Sequence, residues 1–197
     1  MRAWLERSFR NRIFLTVLLV ALVPLLLCDV LMTQVMIFRS EHTLRTDAQE
    51  EMALLTAQRS KDNTSQVGAC IVSRENKILS MGYNGMPTGC FDDDMPWERE
   101  GEPLKTKYMY VCHAELNAIL NHASGTGSLK GARIYTTLFP CNECAKALIQ
   151  SGISQVIYYE DKYADSDSVI ASKRMFDMVG IRYTPYKRTG RGVELAL

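Results

Sequence analysis

The sequence predicts an α/β layered domain that is preceded by an N-terminal apolar helix. Three features support this prediction: two apolar runs joined by a short polar link, a later alternation of strand-like runs with helical stretches, and a long uncharged segment near the N-terminus. Strands that alternate with helices favour parallel strand pairs in a layered sheet. The 197 residues are enough for one domain of ordinary size plus an extension.

The N-terminal extension, residues 1–42, is dominated by apolar side chains. Residues 13–28 carry no charge, and apolar residues resume after Asp29 and continue to Phe38. A helix needs roughly 20 apolar residues to span a bilayer, so we predict a membrane anchor through residues 13–38. A cleaved signal peptide and a buried core helix are the alternatives. No small-residue cleavage site follows the run, and a helix that is apolar on all sides needs a large core around it.

Residues 43–197 are predicted to form the folded domain. Thr46 is followed by Asp47 and, at the third position, by Gln49. This pattern matches a capping box, so the first helix of the domain is expected to begin at Thr46. The same helix is expected to end between residues 59 and 62.

A β-hairpin is predicted next, because apolar runs at residues 67–73 and 77–83 are joined by the short polar link 74–76. Residues 84–89 contain two glycines and a proline, which predicts a shaped loop. Residues 91–107 are acidic and then basic, and they are expected to form a surface loop or insertion. The remaining predictions are helices at 113–123, 141–151 and 167–179, strands at 133–138, 154–159 and from Ile181, and a loosely ordered tail from Lys187.

Charge and cysteine content exclude two classes of protein. The chain has 23 basic and 22 acidic residues, a formal charge of +1, so it has no basic excess for long nucleic acid and we predict no nucleic-acid partner. Six cysteines are too few for a disulfide-stapled scaffold of this length. Cys70 and Cys112 lie in apolar stretches and are predicted to be small core residues.

Two short motifs carry the chemistry: His113-Ala114-Glu115, and then Pro140-Cys141-Asn142-Glu143-Cys144. Together they match the H-x-E…P-C-x-x-C signature of zinc deaminases. Three protein ligands leave the fourth zinc position open, as in a catalytic site. The carboxylate two residues beyond the histidine is suited to proton transfer. By itself, a C-x-x-C pair also fits a redox motif or structural zinc.

Longer segments narrow the resemblance. QRSKD, SQVGACIV, GYNGMPTGC, YVCHAELNAI and LFPCNECAK resemble deoxycytidylate (dCMP) deaminases, within the cytidine and deoxycytidylate deaminase superfamily, over roughly residues 47–185. The resemblance implies a three-layer cytidine-deaminase-like fold with a five-stranded mixed sheet flanked by helices. It also implies a hydrolase acting on a cyclic amidine, which converts dCMP to dUMP and ammonia for thymidylate synthesis. Such enzymes are oligomers, often hexamers, activated by dCTP and inhibited by dTTP, with Mg²⁺ accompanying the triphosphate.

The resemblance also assigns roles to residues. The ligands of one catalytic Zn²⁺ per chain would be His113, Cys141 and Cys144, and the acid/base would be Glu115. The expected substrate contacts are Asn84 near the sugar, Phe139 against the base, and Ser65, Gln66, Lys162 and Tyr163 as candidates for the phosphate. The expected effector-binding residues are Gly85, Met86, Pro87 and Gly89.

The sequence leaves two questions open. Another cytosine or adenine substrate, such as cytidine or a tRNA base, fits the zinc motif, as does an inactive, membrane-anchored nucleotide-binding module. The catalytic domain is expected to be cytoplasmic, yet the arginines before residue 13 favour a cytoplasmic N-terminus, and a single span would then translocate the domain. The apolar segment is then re-entrant, inverted, or joined to the domain by an unusual fusion.

Overall fold

A computed structural model describes residues 2–122 and 127–186, so the predicted tail from Lys187 lies outside the described residues. Close contacts divide the chain into two units, residues 1–44 and residues 45–197. The first unit is helical. The second contains the sheet and the helices that pack on it.

The first helix, α1, spans Arg2–Ala57, so the prediction that a helix begins at Thr46 is wrong. Residues 39–57 contain neither glycine nor proline, and nothing in them ends a helix that is already formed. The side chains of residues 20–40 are all exposed, which contradicts the alternative of a buried core helix. The segment Val20–Ser40 is long and apolar enough to cross a membrane.

The sheet has five strands: β1 (Gly68–Val72), β2 (Ile78–Tyr83), β3 (Arg133–Leu138), β4 (Gln155–Glu160) and β5 (Arg182–Pro185). Their order is β2-β1-β3-β4-β5. Strand β1 pairs antiparallel with β2 and with β3, whereas the β3–β4 and β4–β5 pairs are parallel. The predicted five-stranded mixed sheet is therefore confirmed, and the predicted hairpin is the β1–β2 pair.

Three further helices follow in the predicted places: α2 (Ala114–Leu120), α3 (Asn142–Gln150) and α4 (Asp167–Val179). One core cluster joins these helices to the sheet, and its fully buried members include Ala118, Leu148 and Phe176. A second cluster joins Ala53, near the end of α1, to Cys70, Tyr135 and their neighbours. Helices thus cover both faces of the sheet, and the domain has three layers.

Helix α2 lies unusually close to strand β2. A Cβ atom placed on Gly82 would lie 2.2 Å from the backbone nitrogen of Ala118 and 2.3 Å from the carbonyl oxygen of Ala114. The Ser80 hydroxyl also donates to the carbonyl of Ala118 at 2.6 Å, and the Asn117 amide donates to the carbonyl of Tyr83 at 2.8 Å. Because Gly82 has no side chain, α2 can pack this closely against the sheet.

Two predictions about loops and cysteines need correction. Residues 91–107 are mostly exposed, as expected of a surface loop, but Thr106 and Lys107 at its end are buried. Cys70 is fully buried as predicted, whereas Cys112 is only half-buried. The reason is that Cys112 forms a backbone bridge with Gly85 in a connecting loop, outside the named strands.

Candidate active site

Two helix N-termini meet at the candidate site. His113 is the N-cap residue of α2, and Cys141 is the N-cap residue of α3. Cys141 follows the end of β3 after only Phe139 and Pro140, so the parallel strand delivers it to the edge of the sheet. Cys144 lies in the first turn of α3 and is buried.

The three candidate ligand residues converge. The Nδ1 atom of His113 lies 3.3 Å from the Cys141 sulfur and 3.5 Å from the Cys144 sulfur, and all three ligand atoms fall within 4.8 Å of one another. In a tetrahedral zinc site, bonds of about 2.3 Å to sulfur and about 2.0 Å to nitrogen separate those two atoms by about 3.5 Å. The donor set and its spacing therefore fit a zinc ion.

The three candidate ligands shift one another's pKa values. The hydrogen bond from the Cys144 thiol, helped by His113, lowers the pKa of Cys141 to about 4, so its sulfur is a thiolate at neutral pH. The hydrogen bond to Cys141 raises the pKa of His113 to about 9, although burial opposes this. The pKa of Cys144 is raised, first by its bond to the Cys141 thiolate and then by burial. Metal binding must displace the protons on His113 and Cys144.

Glu115 is the buried carboxyl group beside the candidate metal ligands. It lies in the first turn of α2, is only 4% exposed, and its Oε2 atom lies 3.5 Å from the Cys144 sulfur. Burial raises the pKa of Glu115 above its ordinary value. A carboxyl group whose pKa is moved upward, toward neutrality, is suited to accept and return a proton.

A cavity of about 400 Å³ opens beside these residues. Its lining includes His113, Glu115 and Cys141, and four of the predicted substrate contacts: Asn84, Phe139, Ser65 and Tyr163. Gln66 and Lys162 do not line it. The Gln66 amide donates to the carbonyl of Ser60 at 2.9 Å, and the Lys162 ammonium lies 5.2 Å from the centre of the Tyr163 ring.

Phe139 is held rigidly at the wall of the cavity. It is 4% exposed, and its ring packs edge-on against Tyr158 and Tyr183, with centroid distances of 4.9 Å and 5.6 Å. The ammonium of Lys173 lies 5.2 Å from the ring centre and donates to Asp161 at 2.7 Å. This aromatic packing fixes one flat surface against which a planar base can lie.

Sequence patterns did not predict three charged residues that line the cavity: Asp62, Arg99 and Lys107. Arg99 is exposed, and its Nε donates to the hydroxyl of Tyr108 at 3.1 Å. Lys107 and Asp62 form a buried ion pair between segments 45 residues apart. Nothing local distinguishes these side chains from ordinary surface charges, because only the fold brings them to the cavity.

The four predicted effector residues lie outside the lining of this cavity. Gly85 exchanges backbone hydrogen bonds with Cys112, at 3.1 Å and 2.9 Å, one residue before His113. Gly89 has a φ of +91°, which favours glycine there. The loop is therefore attached by its backbone to the segment that leads into the candidate metal site.

Fold and site together define a zinc-binding deaminase domain, and comparison with known proteins agrees. Residues 46–160 match the family described as "Cytidine and deoxycytidylate deaminase zinc-binding region". The chain belongs to the cytidine and deoxycytidylate deaminase family, which confirms the resemblance seen in the sequence.

Relatives of the chain within the family include deoxycytidylate deaminases. The chain is 57% identical to the human deoxycytidylate deaminase over 136 residues, covering 68% of this chain and 75% of the human protein. It is 57% identical over 146 residues to a probable deoxycytidylate deaminase of Drosophila melanogaster, covering 70% and 71%. A crystal structure of the dCMP deaminase from cyanophage S-TIM5, in complex with dCMP and dUMP, superposes with a TM-score of 0.55. It is 26% identical and covers 72% of this chain and 96% of the phage chain.

Proposed function

We propose that this chain is a zinc-dependent hydrolase that converts dCMP to dUMP and ammonia, and so supplies dUMP for thymidylate synthesis. The observation that carries the proposal is the buried carboxyl group of Glu115 beside one imidazole and two cysteine sulfurs, at the wall of a cavity of about 400 Å³. The 57% identity to deoxycytidylate deaminases favours this substrate over other cytosine or adenine compounds.

One zinc per chain would be held by His113, Cys141 and Cys144. When bound, it supplies an open coordination position and makes water acidic enough to lose a proton near neutral pH. Glu115 takes that proton and delivers it to the ring nitrogen of the base. It then takes the second proton of the water, from the new hydroxyl group on the ring carbon, and delivers it to the departing amine. Water thus provides the new carbonyl oxygen, and the amine leaves as ammonia, so the atoms balance. The ring of Phe139 holds the base flat against the cavity wall.

The substrate phosphate is proposed to bind at the cavity mouth, where Arg99, Tyr108 and Tyr163 line the cavity. A guanidinium group forms strong charge-assisted hydrogen bonds with phosphate, and the phenol hydroxyl groups add neutral donors. The bond from Arg99 to Tyr108 already orients the guanidinium. Arg99 is therefore a better candidate than Lys162, which lies outside the cavity lining.

Arg99→Gln is expected to raise the KM for dCMP by roughly 10- to 100-fold, because one charge-assisted hydrogen bond is lost. The kcat/KM for deoxycytidine, which has no phosphate, should stay unchanged. Steady-state kinetics with both substrates measure the effect. Arg174→Gln is the matched control, since Arg174 is exposed on α4 and does not line the cavity. A larger effect from Lys162→Gln would favour the phosphate contact predicted from the sequence.

The catalytic proposal itself is tested with the full-length chain purified in detergent. It should contain about one zinc per chain and release ammonia from dCMP faster than from cytidine, deoxycytidine or a tRNA stem-loop. A preference for the unphosphorylated nucleoside would overturn the assigned substrate. Zinc and dCMP binding without turnover would instead identify an inactive nucleotide-binding module.

Regulation by nucleotide effectors and assembly into an oligomer are proposed from the family resemblance. Activation by dCTP and inhibition by dTTP, each with Mg²⁺ on the triphosphate, would act through Gly85, Met86, Pro87 and Gly89 in a homo-oligomer, by resemblance a hexamer. The backbone bridge between Gly85 and Cys112 supports this assignment, because it connects the loop to the residue before His113. Turnover measured with and without dCTP tests the response.

Membrane attachment through the apolar segment is also proposed, with the catalytic domain on the cytoplasmic side. Val20–Ser40 contains 21 residues, and at about 1.5 Å per residue it spans about 31 Å, close to the hydrocarbon thickness of a bilayer. Its side chains are exposed and most of them are apolar, which suits contact with lipid.

The full-length chain is expected to sediment with membranes and to require detergent for release. Leu27→Arg with Leu31→Arg should move it toward the soluble fraction, because each central arginine costs about 2.5–3.5 kcal/mol on membrane insertion. Fractionation followed by carbonate extraction measures this. Leu55→Arg is the matched control outside the segment. Recovery of the unmodified chain in the high-speed supernatant would contradict the anchor.

A further inference from the structure

A buried ion pair beside the cavity takes no part in the proposed proton transfer. Lys107 is 5% exposed and Asp62 is 2% exposed, and the lysine ammonium donates to Asp62 Oδ2 and, at 2.7 Å, to the hydroxyl of Thr64. A buried pair loses the hydration of both charges, so stability alone is a weak reason for it. Its position at the cavity lining suggests a role in the site.

The carboxylate of Asp62 organises the turn after it. Oδ1 accepts hydrogen bonds from the backbone N–H of Thr64 at 2.9 Å, from the Thr64 hydroxyl at 2.7 Å and from the backbone N–H of Ser65 at 3.1 Å. Burial acts to raise the pKa of Asp62, but the hydrogen bonds that Lys107 and Thr64 donate to the carboxylate keep the pKa below its ordinary value. The turn is therefore built around one ionised carboxylate.

This turn holds the side chain of Asn84. The amide nitrogen Nδ2 donates to the carbonyl of Ser65 at 2.9 Å and to Asp62 Oδ2 at 3.3 Å, and Oδ1 accepts from the backbone N–H of Val67 at 2.8 Å. These partners fix which end of the amide is oxygen, because a flipped amide would set donor against donor at Val67. Both N–H groups are occupied, so Asn84 can offer a ligand the second lone pair of Oδ1.

We propose that Lys107 is a positioning residue for substrate binding: through Asp62 and the turn after it, Lys107 holds Asn84 Oδ1 as an acceptor for a hydroxyl group of the substrate sugar. The inference rests on the proposed function, because it takes the ligand of the cavity to be a deoxynucleotide. Lys107 does not replace Asn84 as the contact. Its ammonium keeps the carboxylate charged and in place, and the carboxylate keeps the amide oriented.

A double-mutant cycle in the full-length chain tests the route from Lys107 to Asn84. Asn84→Ala should raise the KM for dCMP about tenfold, the effect of one lost hydrogen bond. Lys107→Met should raise it about three- to tenfold and leave kcat and zinc content unchanged. The variant with both changes should match Asn84→Ala alone to within about twofold, since the two residues act on one contact. If the KM of the double variant rises by the product of the two single increases, the proposal is overturned and Lys107 makes a separate contact.

Lys105→Met is the matched control. Lys105 lies two residues upstream in the same segment and pairs with Glu102, but both side chains are about three-quarters exposed, at 76% and 75%. The KM of the Lys105→Met variant for dCMP should equal that of the unmodified chain. An equal rise in KM from Lys105→Met and Lys107→Met would also overturn the proposal, because it would show a general effect of charge in this segment.

Two further measurements distinguish a folding defect, a failure of the proposed function and a failure of the positioning role. If Lys107→Met does not fold, the cycle is built with Asp62→Asn and Lys107→Met together, which leaves no unpaired buried charge. The same cycle is also measured as the Kd for dCMP, which needs no turnover. Absence of turnover in the unmodified chain therefore counts against the proposed function only, whereas a multiplicative cycle in Kd counts against the positioning role only.

Discussion

Glu115→Gln is expected to lower kcat for dCMP by about 10²- to 10⁴-fold, the usual contribution of a general acid/base, and to leave about one zinc per chain. The amide keeps the size of the carboxyl group but cannot accept and return the proton of the attacking water. Steady-state kinetics and zinc analysis of the same preparation measure both effects. Full activity in this variant would remove Glu115 from the mechanism.

Glu143→Gln is the matched control for this prediction. Glu143 lies between the two cysteines, but its side chain is 70% exposed and pairs with Lys146, so kcat should not change. For Glu115→Gln we also expect a gain in stability, in contrast to the loss of activity. Burial raises the pKa of Glu115, which means that the folded protein disfavours its charge, so Glu115→Gln should raise the melting temperature. A gain in stability with loss of activity separates a functional carboxylate from a structural one.

The zinc affinity is expected to rise about 100-fold per pH unit near neutrality, because two protons must leave when the metal binds. The pKa of His113 is raised to about 9 and that of Cys144 is also raised, so both groups carry a proton at pH 7. The pKa of Cys141 is lowered to about 4, so it contributes no proton in this range. Affinity is therefore lost as the pH falls, and the slope flattens as the pH rises through about 9.

Competition with a chelator at about pH 6, 7 and 8 measures this slope, after correction for protonation of the chelator. A flat profile would contradict the assigned protonation states. Cys141→Ser should release the zinc and abolish turnover, because the ligand that is ready as a thiolate is lost. Cys90→Ser is the matched control, since Cys90 is exposed and lies outside the ligand group.

The sequence predicted the sheet and its helices well because each element has a local cause. Apolar runs mark β1 to β4, and short polar links or helical stretches separate them. The predicted start of the first helix was wrong for an equally local reason. A capping box at Thr46 does not begin a helix when the chain is already helical from Arg2. Helix-start patterns therefore need a preceding break to be informative.

The candidate metal ligands could be predicted from the sequence because their spacing forms a motif. The charged residues that line the cavity could not be predicted in this way. Lys107 stands in a charged stretch and is typical of a solvated loop. Its buried position depends on Asp62, 45 residues earlier. A pattern that is local in sequence cannot report a partner that only the completed fold supplies.

Gly82 has a consequence for redesign of this protein. A side chain there would lift α2 from the sheet and displace His113 and Glu115 together, so libraries that aim at new substrates should leave position 82 unchanged. Arg99 and Tyr163 lie outside the five strands, in connecting segments that line the cavity. Substitutions at these two positions can change the substrate specificity and leave the residues of proton transfer unchanged.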